Sequence, residues 1–109
     1  MTTLEILQIG RDRVARGWVQ NTNATDAVGH CVDADDPSAV AWCLIGAIDP
    51  PIVSVDWQAY APYAALWEAL EQAFRSGPLS NYNDLPTTTQ ADIVALFDRA
   101  IAAEQRKIQ

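Results

Sequence analysis

Between Gly17 and Phe74 the chain has no lysine and no arginine. The same stretch holds eight carboxylates, Asp26, Asp33, Asp35, Asp36, Asp49, Asp56, Glu68 and Glu71. A surface of that sign repels phosphate backbones, so direct nucleic-acid binding is not expected. Histidine occurs once, as His30, and cysteine twice, as Cys31 and Cys43. That is too few for a four-ligand zinc site, and "DADD" at 33–36 lacks the glycine and the later glutamate of a calcium loop. No metal and no other cofactor is expected. Also missing are a phosphate-cradling glycine loop, a nucleophile elbow and an H-E-x-x-H pair. No apolar run approaches the roughly 20 residues of a membrane helix. The opening "MTTLEILQIGRDR" lacks a secretory pattern, so a cytoplasmic protein with reduced thiols and no membrane contact is expected.

What is present suits one folded unit. The 109 residues make a single domain, 1–109, half of them apolar and four of them tryptophan, with a net charge of -7. Thr2 and Glu5 have the spacing of a capping box, and Leu4, Leu7, Val14 and Trp18 then share a stripe that Gly17 ends in a left-handed turn. Residues 19–35 follow no helical period, and "QNTNATDAVGHC" favours turns. Within that loop "WVQ" and "HCVD" alternate as a short hairpin would. Asp36 and Pro37 read as the cap and first residue of a second helix through Ile48, carrying "AVAWCLIGAI", with Asp49 and two prolines ending it. A third helix starts at Ser54 or Asp56, has Pro62 near its start or at a kink, and runs to Arg75. "LSNYNDLPTTT" reads as a connector, and the last helix takes Thr88 or Thr89 as its cap and packs Ile93, Leu96, Phe97, Ala100 and Ile101. The fold class is therefore mainly α, a small single-domain bundle of about four helices with one long polar loop and a short β-hairpin.

Chemistry has few places to sit. Cys43 lies well inside the expected second helix, where the amides are already bonded, so its position argues for packing rather than for an activated nucleophile. His30 and Cys31 are adjacent on an extended segment and point to opposite faces, whereas His30 with Cys43 is a possible pair. Gly46 weakens a helix interior by about 1 kcal/mol relative to alanine, which implies a close approach by another backbone or a ring such as Tyr82. Asn81, Asn83 and Asp84 are turn residues around Tyr82, and a ligand-facing loop there is the sharper alternative to a plain turn.

Gly17–Trp18, the polar loop, "DPSAVAWCLIGAI", "NYND" and "TTTQADIVALFDRAI" together resemble a family of small bacterial and phage proteins of unknown function, with tryptophan-cysteine-x-x-glycine-alanine and aromatic-asparagine-aspartate segments. That resemblance carries no activity, but it marks Trp42, Cys43, Gly46, Tyr82, Asn83 and Asp84 as a cluster. The expected function is a non-enzymatic, acidic interaction module, of the kind a phage-type inhibitor or accessory protein would be. It would bind a protein partner with a basic surface through Asp33, Asp35, Asp36, Tyr82, Asn83 and Asp84. The alternative is a small enzyme or ligand-binding protein with a pocket at His30, Trp42, Cys43 and Asp84.

Overall fold

The computed structural model describes residues 2–48, 60–75 and 77–108. In chain order its elements are α1 (Thr3–Arg16), β1 (Ala24–Thr25), β2 (Ala41–Trp42), α2 (Leu44–Ala47), α3 (Ala61–Ala69), a 3-10 turn (Gln72–Phe74), α4 (Leu79–Asn83) and α5 (Gln90–Ile108). The fold is mainly α.

Local sequence explains both long helices. The Thr2 hydroxyl accepts from Glu5 N at 3.1 Å and the Glu5 carboxylate accepts from Thr2 N at 3.2 Å, which closes the capping box of α1. Thr89 and Asp92 make the same reciprocal pair at the start of α5. Leu7 and Val14 of α1 and Ile93, Leu96, Phe97 and Ala100 of α5 are fully buried, and the two helices pack on each other with α3 against α5. Leu44, Ile48, Leu66, Leu70 and Leu79 complete the core.

Gly17 ends α1 in extended backbone, φ -170°, rather than in a left-handed turn. A Cβ there would stand 2.1 Å from the Val40 carbonyl oxygen, so glycine is required by the close passage of the chain before β2.

The stretch after α1 is a small irregular β ladder. β1 pairs antiparallel with β2, Ala24 opposite Trp42 and Thr25 opposite Ala41. Trp18 bridges to Trp42 and Cys31 to Thr25, so the two segments expected to form a hairpin flank the β1–β2 pair on opposite sides and do not pair with each other.

The second helix is much shorter than its apolar run implies. Asp36 and Pro37 start no helix; Asp36 Oδ1 instead accepts from Ser38 N at 2.8 Å and Ser38 Oγ at 2.6 Å, holding a turn. Ladder bonds then claim the backbone, with Trp42 N donating to Gly17 O and Cys43 N to Asn23 O, each at 3.0 Å. Helix begins only after Cys43, which is its N-cap.

The expected end of the second helix, Asp49, and the expected starts of the third, Ser54 and Asp56, lie outside the described residues. Pro62 sits in the first turn of α3, which ends at Ala69 with Leu70 as its cap and not at Arg75. Arg75 folds back to donate to the Leu70 and Glu68 carbonyls at 3.0 and 2.7 Å. The connector after it is partly helical, since Leu79–Asn83 forms α4.

Candidate functional site

Asn83, at the end of α4, is fully buried and uses every hydrogen-bonding site of its amide. Its Oδ1 accepts from Trp18 Nε1 at 2.8 Å and from Leu44 N at 2.9 Å, while its Nδ2 donates to Val19 O at 3.2 Å and to Asp84 Oδ1 at 2.9 Å. One side chain thereby joins the exit of α1, the first turn of α2 and the end of α4. Gln20 adds bonds to the Asn83 and Leu85 carbonyls at 3.0 and 2.8 Å. Asn21, the one non-glycine residue with positive φ (67°) among the described residues, donates its N–H to Asp84 Oδ1 at 2.8 Å.

This crosslink frames a cleft of about 380 Å³ between α2 and α4. Its loop wall is Asn21, Thr22 and Asn23, and its helix wall is Ser80, Asn83 and Asp84. Cys43, Ile45, Tyr63 and Pro78 supply the less polar lining. Asp84 is the only charged residue among the named lining residues.

Cys43 reaches this cleft in a setting that suppresses its reactivity. Burial pushes its thiol pKa up and the Asp84 carboxylate adds to the rise, while the Gly46 and Ile45 amides oppose both only in part. Its Sγ accepts from Gly46 N at 3.2 Å and lies 3.9 Å from Asn23 Oδ1. The cysteine is therefore at a helix N-terminus after all, but as a capping acceptor. Gly46 is held by backbone, since a Cβ there would meet the Asn23 carbonyl oxygen at 2.1 Å, and its three nearest atoms all belong to the Asn23 backbone rather than to Tyr82.

The other marked residues separate into distinct places. Trp42 is buried, donates from Nε1 to Ala34 O at 2.9 Å and lies under two cations, Arg13 and Arg16, at 5.5 and 5.4 Å from the ring centroid. Tyr82 is buried against Phe74, with ring centroids 5.1 Å apart. His30 is exposed beside Asp26, Nδ1 to Oδ2 3.7 Å, and is not among the residues named as lining the cleft. Cys31 and Cys43 are both free thiols. Asp33 and Asp35 are exposed and make no ion pair among the described residues, whereas Asp36 is half-buried in its turn.

Of the marked cluster, Cys43, Asn83 and Asp84 meet at one cleft; Trp42 and Tyr82 serve packing elsewhere. The contributions of Trp18, Gln20, Asn21, Thr22, Asn23 and Ser80 escaped the sequence reading. For Gln20–Asn23 the one signal is the polar run "QNTN", which turn propensity explains as well as ligand binding does. Among the described residues no three of His, Cys, Asp and Glu are grouped to hold a metal ion, and no helix is long and apolar enough to cross a membrane.

Fold and cleft together define a small mainly α domain whose polar crosslink builds a cleft against a short central helix. The chain belongs to a family of unknown function, DUF6197, whose model matches residues 1–103. No curated protein and no solved structure matches it.

Proposed function

We propose that the chain is a non-enzymatic, acidic interaction module that docks on a basic protein surface through the loop around Asp33 and Asp35. One observation carries this reading: both carboxylates are exposed and unpaired among the described residues, on a loop fixed at the buried Ala34 by the Trp42 indole. A pinned loop presents its charges without losing much freedom on binding, which favours affinity as well as steering. Val28, 75% exposed on the same long loop, offers an apolar contact. A cytoplasmic phage-type inhibitor or accessory protein would fit such a module. Asp36 serves the Ser38 turn, so its reversal would confound charge with structure.

The test is capture of a partner by crosslinking in the native host, followed by affinity measurement with the purified pair. Asp33→Lys with Asp35→Lys is expected to weaken binding about tenfold or more, and added salt is expected to weaken the parent complex but hardly the variant. An affinity indifferent to both reversal and salt defeats the reading.

The cleft favours a second reading, a ligand-binding protein. An enzyme using Cys43 with His30 gains no support from an exposed imidazole and a thiol whose pKa is raised.

A further inference from the structure

The cleft between α2 and α4 contains more hydrogen-bonding capacity than the protein uses. Asp84 Oδ1 takes both internal bonds, from Asn21 N and Asn83 Nδ2, and leaves Oδ2 without a partner among the described residues. The side chains of Asn21, Thr22 and Ser80 make no hydrogen bond among the described residues, and Asn23 makes only the long contact with the Cys43 thiol. These groups line one volume, about 380 Å³, with a carboxylate as its only charge among the named lining residues. The Asp84 carboxylate only accepts, and the amide and hydroxyl oxygens beside it can accept too, so a cationic ligand rich in donors is complementary to that oxygen set.

We propose that this cleft binds a guanidinium group, with Asp84 as its counter-ion and the amide oxygens and hydroxyls of Asn21, Thr22, Asn23 and Ser80 accepting its remaining donors. A guanidinium has five N–H donors and no acceptor, which suits a wall of carboxylate, amide and hydroxyl oxygens. An ammonium concentrates its charge on three donors and is more strongly hydrated, so it gains less from a dispersed set of acceptors. Tyr63 lines the same cleft, and an aromatic ring is a surface on which guanidinium stacks. Ile45, Cys43 and Pro78 supply apolar lining for the methylene stem that such a group carries. The absence of any lysine, arginine or histidine among the named lining residues leaves Asp84 uncontested. The site shares no residue with the Asp33–Asp35 loop; it rests on the ligand-binding reading of the cleft, to which it gives a ligand class.

The test is titration of the isotopically labelled protein, followed by backbone amide shifts, with agmatine, capped arginine, n-butylamine and glycerol as probes. Agmatine or capped arginine is expected to give saturable shifts at Asn21–Asn23, Cys43 and Ser80–Asp84, at least tenfold tighter than n-butylamine. Asp84→Asn retains an Oδ1 acceptor for Asn21 and Asn83 and so preserves the fold, but is expected to weaken the guanidinium probes tenfold or more; Ser80→Ala is expected to weaken them severalfold. Capped arginine binding as tightly as agmatine supports an arginine side chain of a peptide as the source, and agmatine binding alone supports a free guanidino compound. Butylamine or glycerol shifting the cleft while the guanidinium probes do not, or equal binding to the folded Asp84→Asn protein, overturns the ligand class. No cleft response to any probe overturns the ligand-binding reading as well.

Discussion

A buried amide is tolerable only when its hydrogen bonds are made, and Asn83 concentrates four of them in one side chain. Truncation to alanine would leave Trp18 Nε1, Leu44 N and the Val19 carbonyl without their partner, and would release Asp84 from one of its two restraints. Leu44 N suffers most, because it lies at the first turn of a buried helix where water cannot replace the lost acceptor. Asn83→Ala is therefore expected to destabilise the fold by about 2–4 kcal/mol, read from urea unfolding. The contribution of tertiary contact can be separated by comparison with Ser80→Ala, a neighbour on the same short helix whose side chain makes no hydrogen bond among the described residues, for which a much smaller change is expected. Equal losses from the two substitutions would mean that α4 matters only as a helix and that the crosslink does not carry its weight.

At the scale of elements, the starts of α1 and α5 were legible because their signals are local: a threonine and an acid three residues on settle the helix start whatever else the chain does. The apolar run 39–48 was not, since a short buried run fits a strand as well as a helix and the choice rests with distant residues. Here Gly17 and Asn23 take the backbone of Trp42 and Cys43 into a ladder, and Asn83 captures Leu44 N, so the helix is confined to Leu44–Ala47. Half of the cleft was legible for the same reason. Cys43 and Asp84 carry chemistry that draws notice, whereas "QNTN" acquires its role through tertiary bonds, Asn21 to Asp84 and Asn23 to Cys43. The shortened helix changes the argument about Cys43 but not its outcome, because burial dominates over the two amides near the sulfur. In a Cys31→Ser protein, native Cys43 is expected to react with a thiol probe orders of magnitude more slowly than a free peptide thiol near neutral pH. A folded-state pKa above the unfolded one also makes stability fall with rising pH: the contribution is whole below the unfolded value of about 8.5 and is lost as pH climbs through the folded value. Urea midpoints that stay level from pH 8 to 10 relative to a Cys43→Ala control, or fast labelling in the native state, would contradict this account.

For the molecule as a whole the unbalanced quantity is charge. The chain carries 14 acids against seven lysines and arginines, and the ion pairs of those cations among the described residues, Arg11–Asp98 and Glu104–Lys107, use few of the acids. Such pairs at the surface contribute little, so the net effect of the field is self-repulsion centred on the cation-free middle of the chain. Repulsion among exposed carboxylates is screened by salt, while the buried crosslink around Asn83 is not. The melting temperature is therefore expected to rise as sodium chloride is raised from about 0.02 to 0.3 M, a range over which the screening length contracts from about 20 to about 6 Å. Asp33→Asn with Asp35→Asn removes two of the unpaired charges without touching a hydrogen bond, and should raise stability at low salt and flatten the dependence. A protein that docks through those carboxylates has a reason to keep them despite this destabilisation. If instead the double variant loses stability, the two acids are held by interactions inside the fold, and the free charge on which the proposed docking rests would not exist.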